Sequence, residues 1–129
     1  MERMEALTNY YTTHNEDARL TSKHGMVEFL TTIHYVEKYL KPGMRILEIG
    51  AGTGRYSHYF AQNGYNVDAV ELMECNIEVF KANTKAGENI TVRLKQSGKQ
   101  SPASHFEIAC GDTPIFSETS SCVMPSFFL

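Results

Sequence analysis

The sequence predicts an α/β fold in which helices and a parallel sheet form a three-layer sandwich. Short apolar runs alternate with amphipathic helical patterns between residues 22 and 94, and the connections between them are short. Strands that alternate with helices in this way lie parallel in one sheet. With 129 residues, 42% of them hydrophobic, the chain is long enough for one domain with a real core.

The predicted elements follow from local patterns. A helix over residues 22–40 has apolar residues at three- and four-residue steps and is stopped by the Lys-Pro-Gly sequence that follows it. Strands are predicted over 44–49, 65–71 and 90–94, which are mostly apolar runs. The two helices between these strands begin after Gly54 and at Met73; the first ends at Asn63-Gly64, and the second ends before Gly87. The order is therefore helix, strand, helix, strand, helix, strand.

Composition excludes several classes of protein. The formal net charge is −3 and the 12 Lys and Arg residues are scattered, so no nucleic-acid surface is predicted. No apolar run is long enough for a membrane span, and residues 1–10 do not resemble a secretory signal, so a cytoplasmic protein is expected. The three cysteines are far apart, and no histidine, His58 included, has metal-ligand spacing. We predict reduced thiols, no metal site, and surface or helix-face histidines.

The glycine-rich turn after the first strand carries the clearest chemical signal. Glu48, Gly50, Gly52 and Gly54 form an ExGxGxG pattern, in which the glycines let the backbone turn sharply and approach a ligand closely. The Walker lysine is missing, and Arg55 occupies the position of the third glycine of a dinucleotide fingerprint. A carboxylate beside this turn would repel a pyrophosphate, so the pattern favours a cationic ligand.

A second acid supports a nucleoside ligand. Glu71 ends the second predicted strand, 17 residues after Gly54. In open α/β sheets an acid at this place binds ribose hydroxyls.

The segment ILEIGAGTGRYSHYFAQNGYNVDAVEL resembles the cofactor half of class I S-adenosylmethionine-dependent methyltransferases. The resemblance covers roughly residues 1–94 and implies a Rossmann-like fold with S-adenosylmethionine as cofactor. It implies that Glu48 holds the cofactor's amino group and that Glu71 holds the ribose. The remaining implied contacts are Gly50, Ala51, Gly52 and Gly54 to the methionine part, and Leu72 and Met73 to the adenine.

The same resemblance implies a lid formed by helices within residues 1–40. Tyr11 or Arg19 would then lie over the methionine carboxylate. Tyr56, directly after the turn, has two interpretations: it packs between helices, or it contacts the cofactor. No catalytic residue is predicted.

The last 35 residues, 95–129, differ from the rest of the chain. They contain seven serines and three of the four prolines. In the methyltransferases that the chain resembles, an acid at the end of the third strand usually contacts the adenine amine, and this chain has no acid there. One interpretation is a strand in FEIACGDTPIF, with Asp112 as that acid. The other is a truncation or frameshift near Arg93, which would leave a cofactor-binding domain over 1–94, an incomplete sheet and an atypical, disordered tail.

Three functions remain open at this point. The first is a methyltransferase that acts on a small-molecule acceptor. The second is a non-catalytic S-adenosylmethionine-binding remnant or subunit. The third is an NAD-dependent oxidoreductase.

Overall fold

The computed structural model describes residues 2–13, 16–95, 116–117 and 121–125. Every helix and strand predicted between residues 22 and 94 is present, and the bounds differ by a few residues at most. Two further helices precede them and two further strands follow. The elements are α1 (Glu2–Thr13), α2 (Glu16–Thr21), α3 (Lys23–Glu37), β1 (Arg45–Ile49), α4 (Arg55–Gln62), β2 (Asn66–Glu71), α5 (Glu74–Asn83), β3 (Ile90–Leu94), β4 (Phe116–Ser117) and β5 (Ser121–Pro125).

The sheet has the strand order β3-β2-β1-β5-β4. β1 pairs in parallel with β2 on one side and with β5 on the other, β3 extends the sheet beyond β2, and β4 is antiparallel to β5. The predicted three parallel strands are therefore adjacent. No strand is predicted from the sequence at Ser121–Pro125, yet this segment hydrogen-bonds to the edge of β1 that three strands alone would leave open.

The main core lies between one face of the sheet and helices α3 and α4. Ile46 of β1 and Val67 of β2 are neighbours in register, and both are buried. Phe29 and Ile33 of α3 pack in the same cluster, together with Phe60 of α4. α3 begins where its pattern predicts, because the hydroxyl of the N-cap residue Ser22 accepts a hydrogen bond from the Gly25 amide.

The opposite face of the sheet is more open. Side chains alternate along a strand, so Leu47 and Ile49 point away from the core that Ile46 joins, and both are only half-buried. On this face Arg45 and Asp68 form an ion pair with an N–O distance of 2.6 Å. Within the described ranges, no helix has the length and apolar character needed to cross a membrane.

Candidate functional site

The glycine turn lies at the carboxyl end of β1, where ligands bind in open α/β sheets. The amides of Gly50 and Ala51 both donate to the carbonyl oxygen of Val70, at 2.7 and 3.1 Å, and so join the turn to the end of β2. The Gly54 amide closes the turn with a 2.9 Å hydrogen bond to the Ala51 oxygen. The turn is thus held rigidly between the first two strands.

Gly52 and Gly54 have different surroundings although both have positive φ angles, of 57° and 88°. A Cβ atom at Gly54 would lie 2.3 Å from the Phe80 ring, which is completely buried beneath the turn. A Cβ atom at Gly52 would meet nothing within 4 Å. Gly54 is therefore required by packing, whereas Gly52 borders open space from which a ligand can approach the backbone.

The Glu71 carboxylate joins the two parts of the predicted site. Its Oε2 atom accepts a 2.7 Å hydrogen bond from the Gly52 amide, and its Oε1 atom accepts one of 2.8 Å from the Met73 amide. The Asn76 side chain donates to Oε1 at 3.4 Å. A carboxylate has about four acceptor positions, so these three bonds leave capacity for another donor.

Glu48 lies on the same face of the sheet as Glu71 and is 1% exposed. Burial raises the pKa of Glu48 from its ordinary value of 4.5 to about 7, although a hydrogen bond from the Ser57 hydroxyl lowers it. The negative charge of Glu71 adds to the increase. Glu48 therefore changes charge near neutral pH and is poised to respond to a cation placed beside it.

The two residues predicted to contact adenine follow Glu71 directly. Leu72 is half-buried in the bend after β2, and Met73 is buried at the N-cap position of α5. Ala51 is also buried, and it packs with Ala69 and Phe80. Seven of the predicted contacts, four from Gly50 to Gly54 and three at 71 to 73, thus surround the carboxyl ends of β1 and β2.

The two residues predicted for the lid, Tyr11 and Arg19, lie on different helices. Tyr11 lies in α1, and its ring meets that of Tyr10 edge-on at 5.4 Å. Arg19 of α2 forms an ion pair of 3.1 Å with Glu28 of α3. Their assignment to a methionine carboxylate stays a prediction, and Asp112 lies outside the described residues.

Tyr56 has a packing role in the structure. It is half-buried in the first turn of α4, and its ring lies 5.1 Å from that of Phe29. Burial raises the pKa of Tyr56. The packing interpretation therefore holds, and contact with a cofactor stays a prediction.

The buried pair formed by His58 and Glu88 was not predicted from the sequence. His58 is on a helix face as expected, but it is buried: Nδ1 lies 2.7 Å from Oε2 of Glu88, the ring packs on Phe80, and Nε2 has no hydrogen-bond partner. His58 is three residues before the buried Ala61 and so lies on the same face of α4, which means that the helical period carried this signal. The partner Glu88 is 30 residues away, and no local pattern indicates it.

No group of three or more His, Cys, Asp or Glu side chains within the described ranges is arranged to hold a metal ion.

A comparison with known families shows the family of this chain. The family described as "Tellurite resistance protein TehB" matches residues 8–105 of the chain. The chain belongs to the TehB family. No curated protein matches the chain.

Solved structures with the same fold include an S-adenosylmethionine-dependent methyltransferase from Anabaena variabilis. It has 19% sequence identity and a TM-score of 0.52, and the match covers 71% of this chain and 38% of that one. The glycopeptide N-methyltransferase MtfA complexed with S-adenosylmethionine has 24% identity and a TM-score of 0.43, over 49% of this chain and 30% of that one. The match to the Anabaena structure shows that this TehB-family chain has the Rossmann-like methyltransferase fold. The chain spans less than half of each of the two structures.

Proposed function

We propose that this chain binds S-adenosylmethionine and forms the cofactor-binding part of a methyltransferase for a small-molecule acceptor in the cytoplasm. The observation that carries the proposal is the hydrogen bond between the Gly52 amide and the Glu71 carboxylate. This bond puts the glycine turn and the acid at the end of β2 in direct contact. Family membership and the fold shared with the Anabaena methyltransferase support the same function.

The donor and acceptor groups of the site fit this cofactor. Glu71 keeps acceptor capacity for a ribose hydroxyl beside the open space at Gly52. Glu48 supplies a negative charge for the amino group, since a neighbouring cation would favour its ionised form. The fit argues against a pyrophosphate, because Glu48 and Glu71 would both repel it.

The residues of the site have a binding and positioning role. The cofactor, when bound, supplies a methyl group already activated by its sulfonium centre. Glu71 and the Gly52 backbone would orient the nucleoside, and Glu48 would hold the amino end. The rigid turn between β1 and β2 fixes these groups relative to each other, and such orientation is a main source of rate enhancement in group transfer.

Calorimetric titration of the chain with S-adenosylmethionine, S-adenosylhomocysteine and NAD tests the proposal. We expect the first two to bind and NAD not to bind. Glu71→Gln should weaken S-adenosylmethionine binding by about tenfold or more, because a hydrogen bond to a charged group is lost. Glu74→Gln is the matched control, since Glu74 is exposed nearby on α5.

Gly52→Arg should abolish binding, because its side chain would fill the open space beside Glu71. Gly64→Arg is its control: Gly64 has a φ angle of 90° and open surroundings, but it lies after α4. NAD binding without S-adenosylmethionine binding would contradict the proposal.

Methyl transfer to a panel of small acceptors, with Gly52→Arg as the inactive control, tests the activity. Cofactor binding without turnover would favour a non-catalytic binding subunit. Recovery of the tagged chain in the membrane fraction of cells would contradict the cytoplasmic location.

A further inference from the structure

Arg55 begins α4 directly after Gly54, and its guanidinium lies against α3 rather than beside a carboxylate. Its Cζ atom is 4.6 Å from the centre of the Phe29 ring, and Nη2 is 2.9 Å from the Sδ atom of Met26. The Nε atom is buried and has no hydrogen-bond partner. No carboxylate within the described residues forms an ion pair with Arg55.

This arrangement leaves a half-buried charge incompletely satisfied. A guanidinium has five N–H donors, and thioether sulfur is a weak acceptor. Two other arginines have carboxylate partners: Arg19 pairs with Glu28, and Arg45 pairs with Asp68. Arg55 is therefore a site for an anion, since pairing with one would offset the cost of holding its charge partly out of water.

The position of Arg55 indicates which anion it would bind. Ser57, two residues later, donates its hydroxyl to Glu48, so the first turn of α4 carries both Arg55 and the hydrogen-bond partner of Glu48. Under the proposed function Glu48 faces the amino group of an amino acid. The carboxylate of an amino acid is attached to the same carbon as its amino group, so a negative charge reaches this region together with the positive one.

We propose that Arg55 binds the carboxylate at the methionine end of the cofactor, an inference that rests on the proposed function. The alternative residue, Arg19, is half-exposed and has Glu28 as a partner. The Phe29 ring packs against the Arg55 guanidinium and holds it at the start of α4, where it has no carboxylate partner.

The test compares binding of S-adenosylmethionine with binding of its decarboxylated form, which keeps the amino group and lacks the carboxylate. The wild-type chain should prefer S-adenosylmethionine by about tenfold or more. Arg55→Met should remove this preference, because it weakens S-adenosylmethionine binding and leaves binding of the decarboxylated form unchanged. Methionine can keep the apolar contact with Phe29, so the variant should remain folded, as thermal unfolding without ligand would verify.

Arg19→Met tests the alternative assignment of the carboxylate to Arg19, and we expect this variant to keep the preference. Loss of the preference in Arg19→Met, or its persistence in Arg55→Met, would overturn the inference. An equal loss of affinity for both ligands in Arg55→Met and in Arg55→Lys would show a structural role only and would also overturn it. Failure of the wild-type chain to bind either ligand would instead contradict the proposed function, and the inference with it.

Discussion

The Glu71 carboxylate accepts a 2.7 Å hydrogen bond from the amide of Gly52, nineteen residues earlier in the chain. The same carboxylate accepts a bond from the Met73 amide at the start of α5. One side chain thus holds both the glycine turn and the beginning of the next helix, and it lies where the proposed ribose would bind.

Glu71→Asp should loosen this connection, because its side chain is one methylene shorter and cannot keep both bonds. We expect a decrease of about 1–3 kcal/mol in the free energy of unfolding, as for a buried hydrogen bond to a charged group. Amide hydrogen exchange gives the local measurement: the Gly52 amide should lose protection. The Gly50 amide donates to the Val70 carbonyl and should keep its protection, so equal loss at both amides would contradict the prediction.

Gly54→Ala should destabilise the protein through a clash with Phe80. The new Cβ would lie 2.3 Å from the ring, and the φ angle of 88° adds strain of its own. Gly64→Ala has nearly the same φ angle and meets nothing within 4 Å, so it isolates the backbone strain. Urea unfolding should show that Gly54→Ala costs about 1–3 kcal/mol more than Gly64→Ala. Equal losses would mean that Phe80 moves aside freely.

Glu48 should make the protein less stable as the pH rises towards neutrality. Its folded-state pKa of about 7 is above the ordinary value of 4.5, so the folded state binds the extra proton between these values. The free energy of unfolding should therefore fall by up to about 3 kcal/mol as the pH rises from 4.5 to 7 and then become constant. Glu48→Gln should remove this slope, whereas Glu78→Gln, an exposed substitution on α5, should keep it.

The affinity for S-adenosylmethionine should change with pH in the opposite direction. The ionised form of Glu48 favours the cofactor's cationic amino group, so affinity should rise as the pH increases through about 7. Calorimetry at several pH values measures this change. Glu48→Gln should bind weakly with little dependence on pH in this range, and an unchanged pH profile in this variant would exclude Glu48 as the responsive group.

Glu88 should make the protein sensitive to acid. Burial alone would raise the pKa of Glu88, but hydrogen bonds from Gln62, His58 and the Lys85 amide outweigh it and lower the pKa. A lowered folded-state pKa contributes stability above the ordinary value, and this stability is lost as the pH falls through the folded-state value. Unfolding measured below pH 4.5 should therefore show a steeper decline in the wild-type chain than in Glu88→Gln. Glu78→Gln again serves as the control.

Local patterns in the sequence predicted the elements and the two motifs of the candidate site. The apolar period of α3, the short apolar runs of β1 to β3 and the glycines after β1 are all properties of neighbouring residues, and each element is present. The acid at the end of β2 was predicted because its separation from the glycine turn along the chain is the length of one helix and one strand. These features need no knowledge of distant contacts.

Contacts between distant residues could not be predicted in the same way. Nothing near Glu88 in the sequence indicates His58, and nothing near Gly54 indicates that Phe80 lies beneath it. The pairing of β5 with β1 also joins segments more than seventy positions apart, and the sequence pattern predicted no strand at Ser121–Pro125. Such contacts depend on how the elements pack together, which is a property of the whole chain.

The sequence by itself determined the α/β order, the ExGxGxG turn and the presence of Glu48 and Glu71, because these depend on period and spacing. Only the tertiary structure decided that Glu71 bonds to Gly52, that Glu48 is buried with a pKa near 7, and that Arg55 lacks the carboxylate partner that Arg19 has. The physical reason is that burial, hydrogen bonding and charge pairing are set by distances in space. Those distances are established only when β1, β2 and α3 to α5 pack against each other.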